Sequence, residues 1–141
     1  MKSFYILILT LVSSVAYSEV TVDLPDGWKI SSSVIYVGAK KIGETTSKES
    51  WPYSSGDDFI DEFRMGFVDD PETTKFISSG HANGIYWVCR EEEYWDGKGG
   101  GGIWYARRFW VNGPILTIYS YVSCSEGFDK ALDIASTVRE L

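Results

Sequence analysis

Three long runs of strand-forming residues occupy the second half of this 141-residue chain, and they limit its fold more than any other feature. The runs 84–93, 102–111 and 115–124 are rich in Ile, Val, Trp, Tyr and Phe, which favour extended backbone. Asn112-Gly113 separates the last two runs and is a typical hairpin turn. Because neighbouring strands joined by short turns pair with each other, the pattern predicts an antiparallel β-meander.

The Asn112-Gly113 turn also predicts the register of the last hairpin. Since Pro114 has no N–H to donate, the loop is either two residues or the four residues 111–114, with the same pairing. Closure there pairs Trp110 with Ile115, Phe109 with Leu116, and Trp104 with Tyr121.

Alternation along this hairpin predicts two different faces. The predicted core face carries Ile103, Tyr105, Phe109, Val111, Leu116, Ile118 and Val122. The opposite face carries Trp104, Arg108, Trp110, Thr117, Tyr119 and Tyr121. Since this second face is aromatic and amphipathic, either a helix or long loop covers it or it binds another molecule.

Shorter strands and two helices are predicted elsewhere. Residues 20–24 and 28–32 flank Pro25-Asp26-Gly27, and this pattern predicts a first hairpin. A third strand is predicted over 34–42. A further strand is predicted over 73–79, before a turn at 80–84. Apolar residues recur at helical spacing over 57–67, after acidic residues that suit a helix N-terminus.

The C-terminal segment predicts an amphipathic closing helix with Ser125 as its N-cap. Phe128, Ala131, Leu132, Ala135 and Val138 form its apolar stripe. The fold class expected from these elements is α+β: an antiparallel sheet meander flanked by helices, with the amphipathic helix closing the domain.

The N-terminus is typical of a secretory signal peptide. Lys2 precedes an apolar run over 4–12, which is shorter than the roughly 20 residues of a membrane span. Ala16 and Ser18 suit cleavage before Glu19, and cleavage after Ala16 is the alternative. We therefore expect a signal peptide over 1–18, a single globular domain over 19–141, and a periplasmic or secreted product without stable membrane anchoring.

Export gives the two cysteines an oxidising environment, so Cys89 and Cys124 are predicted to form a disulfide. A simple meander with one strand between them would separate their Cα atoms by more than the roughly 7 Å that a disulfide tolerates. Two buried thiols are therefore the alternative.

The order of elements resembles a known fold group. The segments "VTVDLPDGW" and "FDKALDIASTVREL", with a helix and a meander between them, resemble the PsbP-like or Mog-like fold, which includes secreted DcrB-type domains. The resemblance implies an antiparallel sheet flanked by helices in a binding or accessory protein, and some members are periplasmic immunity proteins. The insert at 91–102 departs from the shorter hairpin of this group, so the partner is not inherited from the fold.

Motifs for catalysis are weak. His81 is the only histidine and lies in a predicted turn, and the glycines at 97, 99 and 102 precede a strand pattern rather than the helix of a dinucleotide site. The acidic clusters lack the alternating spacing of a calcium loop, and a solvated acidic face is the simpler interpretation: Asp57, Asp58, Asp61, Glu62, Asp69, Asp70 and Glu72. We expect no enzyme activity, no metal and no cofactor, with a hydrolase as a minor alternative.

The segment 91–102 is the predicted partner site. It combines carboxylates and two large rings with a glycine-rich second half, and aromatic anchors ringed by charge are typical of protein interfaces. The predicted site residues are Glu91, Glu92, Glu93, Tyr94, Trp95 and Asp96. The second candidate face consists of Trp104, Arg108, Trp110, Tyr119 and Tyr121.

Charge narrows the function classes. A formal charge of −7 argues against nucleic-acid binding, which relies on basic side chains. The sequence favours a non-enzymatic binding or inhibitor protein, of the immunity type, that neutralises a cationic envelope-targeting toxin or peptidoglycan hydrolase. The alternative is a small-ligand or glycan-binding module using the aromatic face, and a homodimer is an open alternative for the oligomeric state.

Overall fold

A computed structural model describes residues 19–65, 74–95 and 97–141. The predicted signal peptide, Asp96 and the carboxylates Asp69, Asp70 and Glu72 lie outside these ranges. The strands are β1 (Val20–Thr21), β2 (Trp28–Ser31), β3 (Val34–Val37), β4 (Lys40–Thr46), β5 (Thr74–Ala82), β6 (Ile85–Trp95), β7 (Gly101–Trp110), β8 (Ile115–Ser120) and β9 (Arg139–Glu140). The helices are α1 (Gly56–Met65) and α2 (Phe128–Ala135).

The predicted α+β class is confirmed. Seven strands form one antiparallel sheet in the order β2-β3-β4-β8-β7-β6-β5, and β1 pairs separately with β9. The sheet is built from two meanders joined where β4 lies beside β8. The strand that follows β4 in sequence, β5, lies at the edge of the sheet beyond β6. The segment that contains α1 therefore runs from β4, inside the sheet, to this edge and connects the two meanders.

The predicted register of the last hairpin is confirmed. Phe109 pairs with Leu116 and Trp110 with Ile115, and the backbone N–H of Val111 donates to the carbonyl of Pro114 at 2.9 Å. Because this bond joins the two residues that flank Asn112-Gly113, and both turn residues have positive φ, the chain turns at those two residues, which is the shorter of the two alternatives. The β7–β8 pairing ends at Tyr105 and Ser120, so the predicted pair of Trp104 with Tyr121 lies beyond the end of the ladder.

The two faces of the sheet are covered by different helices. On the front face, which includes Phe109, Leu116 and Ile118, α2 inserts Ala131 and Ile134 into the main core. On the back face, which includes Val88 and Ile115, α1 inserts Phe59 and Phe63, both almost fully buried. Burying side chains of this size stabilises the fold by about 1.5–3 kcal/mol each.

Close packing fixes the start of α1. A Cβ atom at Gly56 would lie 2.1 Å from the Tyr86 ring, so only glycine allows the helix to approach β6 there.

Several predicted boundaries were wrong. The first hairpin does not form, because β1 pairs with β9 and β2 pairs with β3. The run 34–42 contains two strands with a turn at Gly38, where φ is +62°. The predicted turn at 80–84 is shorter, because β5 continues to Ala82 and only Asn83 and Gly84 turn.

Ser125 does not cap α2. The N-cap position is Gly127, in a left-handed conformation and without a side-chain capping bond. The carbonyl of Ser125 instead accepts a hydrogen bond from the N–H of Phe128 at 3.2 Å. The helix therefore begins two residues later than an N-cap at Ser125 implied.

Candidate functional site

The strand extends further into the segment 91–102 than the predicted strand run, which ended at 93. Residues 91–95 continue β6, and pairing with β7 extends to Trp95 opposite Gly101. A Cβ atom at Gly101 would lie 2.2 Å from the carbonyl oxygen of Tyr94, so the glycine allows this close pairing. The connection between the strands is therefore only 96–100.

Alternation along β6 separates the predicted site residues. Glu91, Glu93 and Trp95 share the front face with Trp87, whereas Glu92 and Tyr94 point to the back face with Val88. The strand thus does not bring the predicted set together, and it divides the set between two surfaces.

The front-face part forms an exposed surface at the end of the β6–β7 hairpin. Trp95 is 72% exposed, and Ile103, which pairs with Glu93, is 49% exposed. Glu91 is half-buried and accepts a hydrogen bond from the Tyr105 hydroxyl at 3.2 Å. We call the surface formed by Glu91, Glu93, Trp95 and Ile103 the distal patch.

The assignment of Ile103 and Val122 to the core was wrong, since Val122 is also exposed, at 67%. The reason is the length of α2, which has eight residues and therefore spans about 12 Å. Its C-terminal half lies near the two hairpin turns, where Leu132 and Asp133 share a cavity with Asn83 and Asn112. The helix therefore covers only the half of the front face near those turns.

The disulfide marks the boundary of the covered half. Cys89 and Cys124 are bonded, as predicted, with their Cα atoms 6.0 Å apart. This distance is possible because β8 ends at Ser120, which lets the following segment return over the sheet. Arg107, opposite Cys89, holds the same segment by donating from Nη1 to the carbonyl of Glu126 at 2.5 Å.

On the back face, Glu92 bridges two buried arginines. Its Oε2 accepts hydrogen bonds from Arg90 Nη2 at 2.7 Å and from Arg108 Nη1 at 2.6 Å. Burial would raise the pKa of Glu92, but the hydrogen bonds and charges of Arg108 and Arg90 outweigh it and hold the pKa below the usual range. Glu92 is therefore a buried structural ion and not a surface carboxylate of the predicted site.

Phe63 completes this ionic cluster. The guanidinium carbons of Arg90 and Arg108 each lie 5.1 Å from the centre of its ring. Its carbonyl also accepts a hydrogen bond from Arg90 Nη1 at 3.3 Å. The cluster thus fixes α1 to the sheet through both charge and ring contacts.

The second candidate face divides into a covered part and an aromatic stack. Arg108 and Trp110 lie under α1 and the segment before it, as expected if a helix covers this face. In the other part, Trp104 lies between Tyr94 and Tyr119, with ring centres 4.8 Å and 3.7 Å away. Tyr121 contacts the edge of Tyr94 at 5.8 Å.

Burial in this stack shifts two tyrosine pKa values upward. For Tyr119 the causes are burial and the nearby Glu44, whose Oε1 accepts a hydrogen bond from the hydroxyl at 3.0 Å. For Tyr121 they are burial and Tyr94. Both hydroxyls are therefore neutral donors, and neither serves as a base.

Four buried polar atoms on the back face have no hydrogen-bond partner within the described ranges. They are Trp104 Nε1, Arg108 Nε, Trp110 Nε1 and Thr117 Oγ1. Arg108 Nε belongs to the ionic cluster itself, and the other three atoms lie on β7 and β8. Some buried polar groups of the back face therefore have no hydrogen-bond partner among the described protein groups.

His81 belongs to β5 and not to a turn, and its exposed ring stacks on Tyr86 at 5.1 Å. In the part of the chain that the structure describes, no three His, Cys, Asp or Glu side chains are grouped as metal ligands would be. Neither described helix has the length and apolar character needed to cross a membrane.

Sequence reasoning missed the roles of Arg90 and Arg107. The spacing of Arg90 and Glu92 by two residues was a signal for a same-face pair on a strand. The third ion of the cluster, Arg108, is placed beside them only by the β6–β7 register, which the glycine-rich connection leaves undefined.

No protein-family model, no curated protein and no solved structure matches this chain. The fold is that of an α+β domain. The disulfide is typical of proteins found outside the cytoplasm. The likeness to the PsbP-like group stays a prediction.

Proposed function

We propose that this chain is an exported, non-enzymatic inhibitor of the immunity type, which neutralises a cationic envelope-targeting toxin or peptidoglycan hydrolase through the distal patch. The observation that carries the proposal is Trp95, whose indole is 72% exposed beside Glu93 and Ile103. Folding gains nothing from leaving so large an apolar ring in water, whereas binding interfaces use such rings as anchors.

The hairpin makes Trp95 a suitable anchor. Its backbone is paired with Gly101 in the ladder, and the same ladder continues through ten residue pairs of β6 and β7. A ring held on a regular strand loses less conformational freedom on binding than a ring on a free loop. The distal patch is therefore pre-organised to enter a cleft.

Charge supports a basic partner. Glu91 and Glu93 flank the apolar patch, and the whole chain carries a formal charge of −7. Such a field accelerates encounter with a cationic protein and disfavours anionic ones.

Localisation belongs to the same proposal. We infer cleavage before Glu19 and release to the periplasm or the exterior. The disulfide supports an oxidising compartment. The carbonyl of Glu19 accepts a hydrogen bond from the N–H of Leu141 at 2.9 Å, so a chain that begins at Glu19 keeps this contact.

The test is binding to envelope proteins. The purified protein is used as bait in an envelope extract, and captured basic hydrolases are assayed for inhibition and for binding kinetics. Trp95→Ala should weaken the affinity by about 30-fold, equivalent to about 2 kcal/mol, mainly through faster dissociation. Glu93→Gln should slow association and reduce its salt dependence.

Val37→Ala is the matched control, because Val37 is also an exposed apolar strand residue, on β3 away from the hairpin. It should leave affinity and inhibition unchanged. Equal effects of the Trp95 and Val37 substitutions, or captured hydrolases that are bound without inhibition, would reject the proposal.

The ring packing gives little support to the alternative, a glycan-binding aromatic face. Sugars stack on free ring faces, but Tyr94 and Tyr119 already occupy both sides of Trp104. Salt separates the two functions, because stacking on a sugar should be almost independent of ionic strength, whereas association with a basic protein should slow as salt increases.

A further inference from the structure

A groove on the front face lies apart from the distal patch, between the N-terminal half of α2 and strands β2 to β4. Its volume is about 460 Å³, which is within the range of small-molecule sites. Most of its wall is apolar and includes Trp28, Ile42 and Tyr121. Nothing in the proposed inhibitor function uses this groove.

A buried guanidinium forms part of the wall. Arg107 is only 4% exposed, and it donates from Nε to the carbonyl of Ile118 at 3.3 Å and from Nη1 to that of Glu126. Both acceptors are neutral carbonyls. Within the described ranges, Nη2 has no hydrogen-bond partner and the guanidinium has no carboxylate within 4.0 Å.

Two lysines add positive charge along the groove. Lys40 Nζ lies 3.8 Å from the centre of the Tyr121 ring, and Lys130 Nζ lies 5.2 Å from the centre of the Trp28 ring. The rings hold both ammonium groups beside the apolar walls. Neither lysine forms a salt bridge to the described residues.

The charge of the groove is opposite to that of the molecule. Arg107, Lys40 and Lys130 line it together with one carboxylate, Glu126, in a chain whose formal charge is −7. Burial lowers the pKa of Arg107 more than the charge of Glu126 raises it, so Glu126 compensates the guanidinium only in part, and stability alone would favour an apolar residue there. A bound anion would offset the remaining cost of burial.

The neighbouring cavity does not share this character. It has a volume of about 530 Å³ on the other side of the α2 N-terminus, and its charged residues are Lys130 and Asp129. The charges there balance, and the wall contains no buried ion.

We propose that the groove binds a small amphipathic carboxylate, with the carboxylate at Arg107 between the two lysines and the apolar tail along Trp28 and Ile42. The cations select the anionic head, and the apolar wall selects a hydrocarbon or aromatic tail. A bidentate contact to guanidinium N–H groups is the geometry that carboxylates favour.

The test uses octanoate as the probe and octan-1-ol as its uncharged counterpart. Titration of the isotope-labelled protein is followed by NMR, with the Trp28 indole N–H and the Ala131 methyl group as reporters, because both residues line the groove. Octanoate should bind saturably and at least tenfold more tightly than octan-1-ol. Failure of octanoate to saturate by about 10 mM (a free energy of only about −2.7 kcal/mol), or equal binding of the alcohol, would overturn the proposal.

Charge-reversal variants assign the binding to this groove. Lys40→Glu with Lys130→Glu should weaken octanoate binding at least tenfold, since both side chains are exposed and the fold does not depend on them. Lys29→Glu with Lys75→Glu changes the net charge equally at exposed positions outside the groove, and should change affinity by less than twofold. Equal losses in the two double variants would show a non-specific charge effect and reject the site. Trp95→Ala leaves this site intact, so failure of the inhibitor proposal and failure of this one are distinguishable.

Discussion

Glu92 balances the charge in the buried part of the back face. Its side chain is 14% exposed and those of Arg90 and Arg108 are 7% and 9% exposed, so all three ions have lost most of their water. Attraction at 2.6–2.7 Å offsets the desolvation cost only while the carboxylate is present and charged. Because two arginines share this one carboxylate, we expect substitution of Glu92 to destabilise the fold more than substitution of either arginine.

We predict that Glu92→Gln lowers the free energy of unfolding by about 3–5 kcal/mol, because it leaves two guanidinium groups buried without a counter-ion. Glu93→Gln, next in the chain and exposed, should change it by less than about 0.5 kcal/mol. Urea unfolding followed by circular dichroism measures both. Similar midpoints for the two variants would show that the cluster does not hold the fold.

The lowered pKa of Glu92 also predicts a pH dependence. Since this pKa is lower in the folded state than in the unfolded chain, where it is about 4.3, the stabilisation is complete above that pH and disappears as pH falls through the folded value. The difference in unfolding free energy between the wild type and Glu92→Gln should therefore be constant above about pH 5 and should shrink as pH falls below about 4.3. A difference that stays constant as pH falls below that value would contradict the assignment.

At the level of elements, local patterns predicted structure well where partners are close in sequence. The Asn112-Gly113 turn fixed the register of β7 and β8 because a short loop leaves few alternative pairings. The pairing of β1 with β9 joins Val20 to Glu140 across almost the whole chain, and no local signal marks it. Likewise, the extent of β6 depends on Gly101 and Gly102, whose lack of side chains looked like a loop but allows close pairing.

The disulfide is the element-scale constraint that holds the start of α2 on the sheet. Its sequence separation is 35 residues, so removing it should lower the free energy of unfolding by roughly 3–4 kcal/mol through the entropy of the unfolded chain. Cys89→Ala with Cys124→Ala, compared with the oxidised wild type in urea without reductant, measures this loss. The wild type in excess reductant is the matched control and should show a similar loss. A double variant as stable as the oxidised wild type would contradict the prediction.

At the scale of the whole molecule, the sheet separates two different environments. The front face carries the main core, the groove and the distal patch, whereas the back face carries the ionic cluster and the aromatic stack. Alternation predicted the division between the faces of β7 and β8, but not which stretches α1 and α2 cover. Coverage depends on helix length and on the return of the chain through Cys124, which are tertiary properties. The exposure of Trp95 near the hairpin end was therefore predictable, whereas the burial of Glu92 was not, because it depends on the β6–β7 register that brings Arg108 beside it and on the packing of α1 over the two arginines.

The two ends of the described chain meet in a ribbon separate from the main sheet. Thr21 pairs with Arg139, the N–H of Leu141 donates to Glu19, and the N–H of Lys48 donates to Glu140 Oε1 at 3.0 Å. An isolated two-stranded ribbon is only marginally stable, but Val20 and Val22 also pack against the main core. The ribbon should therefore open locally while the sheet stays closed.

We predict that deleting residues 139–141 increases the amide exchange rates in β1 at least tenfold, because β1 loses its strand partner. Under conditions in which exchange occurs by local opening, the exchange rates at the centre of β7 and β8 should change by less than about twofold. The global unfolding free energy should fall by only about 1–2 kcal/mol, since the core contacts of Val20 and Val22 remain. Hydrogen exchange measured by NMR tests both statements. Replacing Arg139 alone by Ala is the control, because its ion pair with Asp23 at 3.2 Å is exposed and should contribute little. Faster exchange throughout β7 and β8 after the deletion would show that the ribbon is part of the cooperative core rather than a closure on its edge.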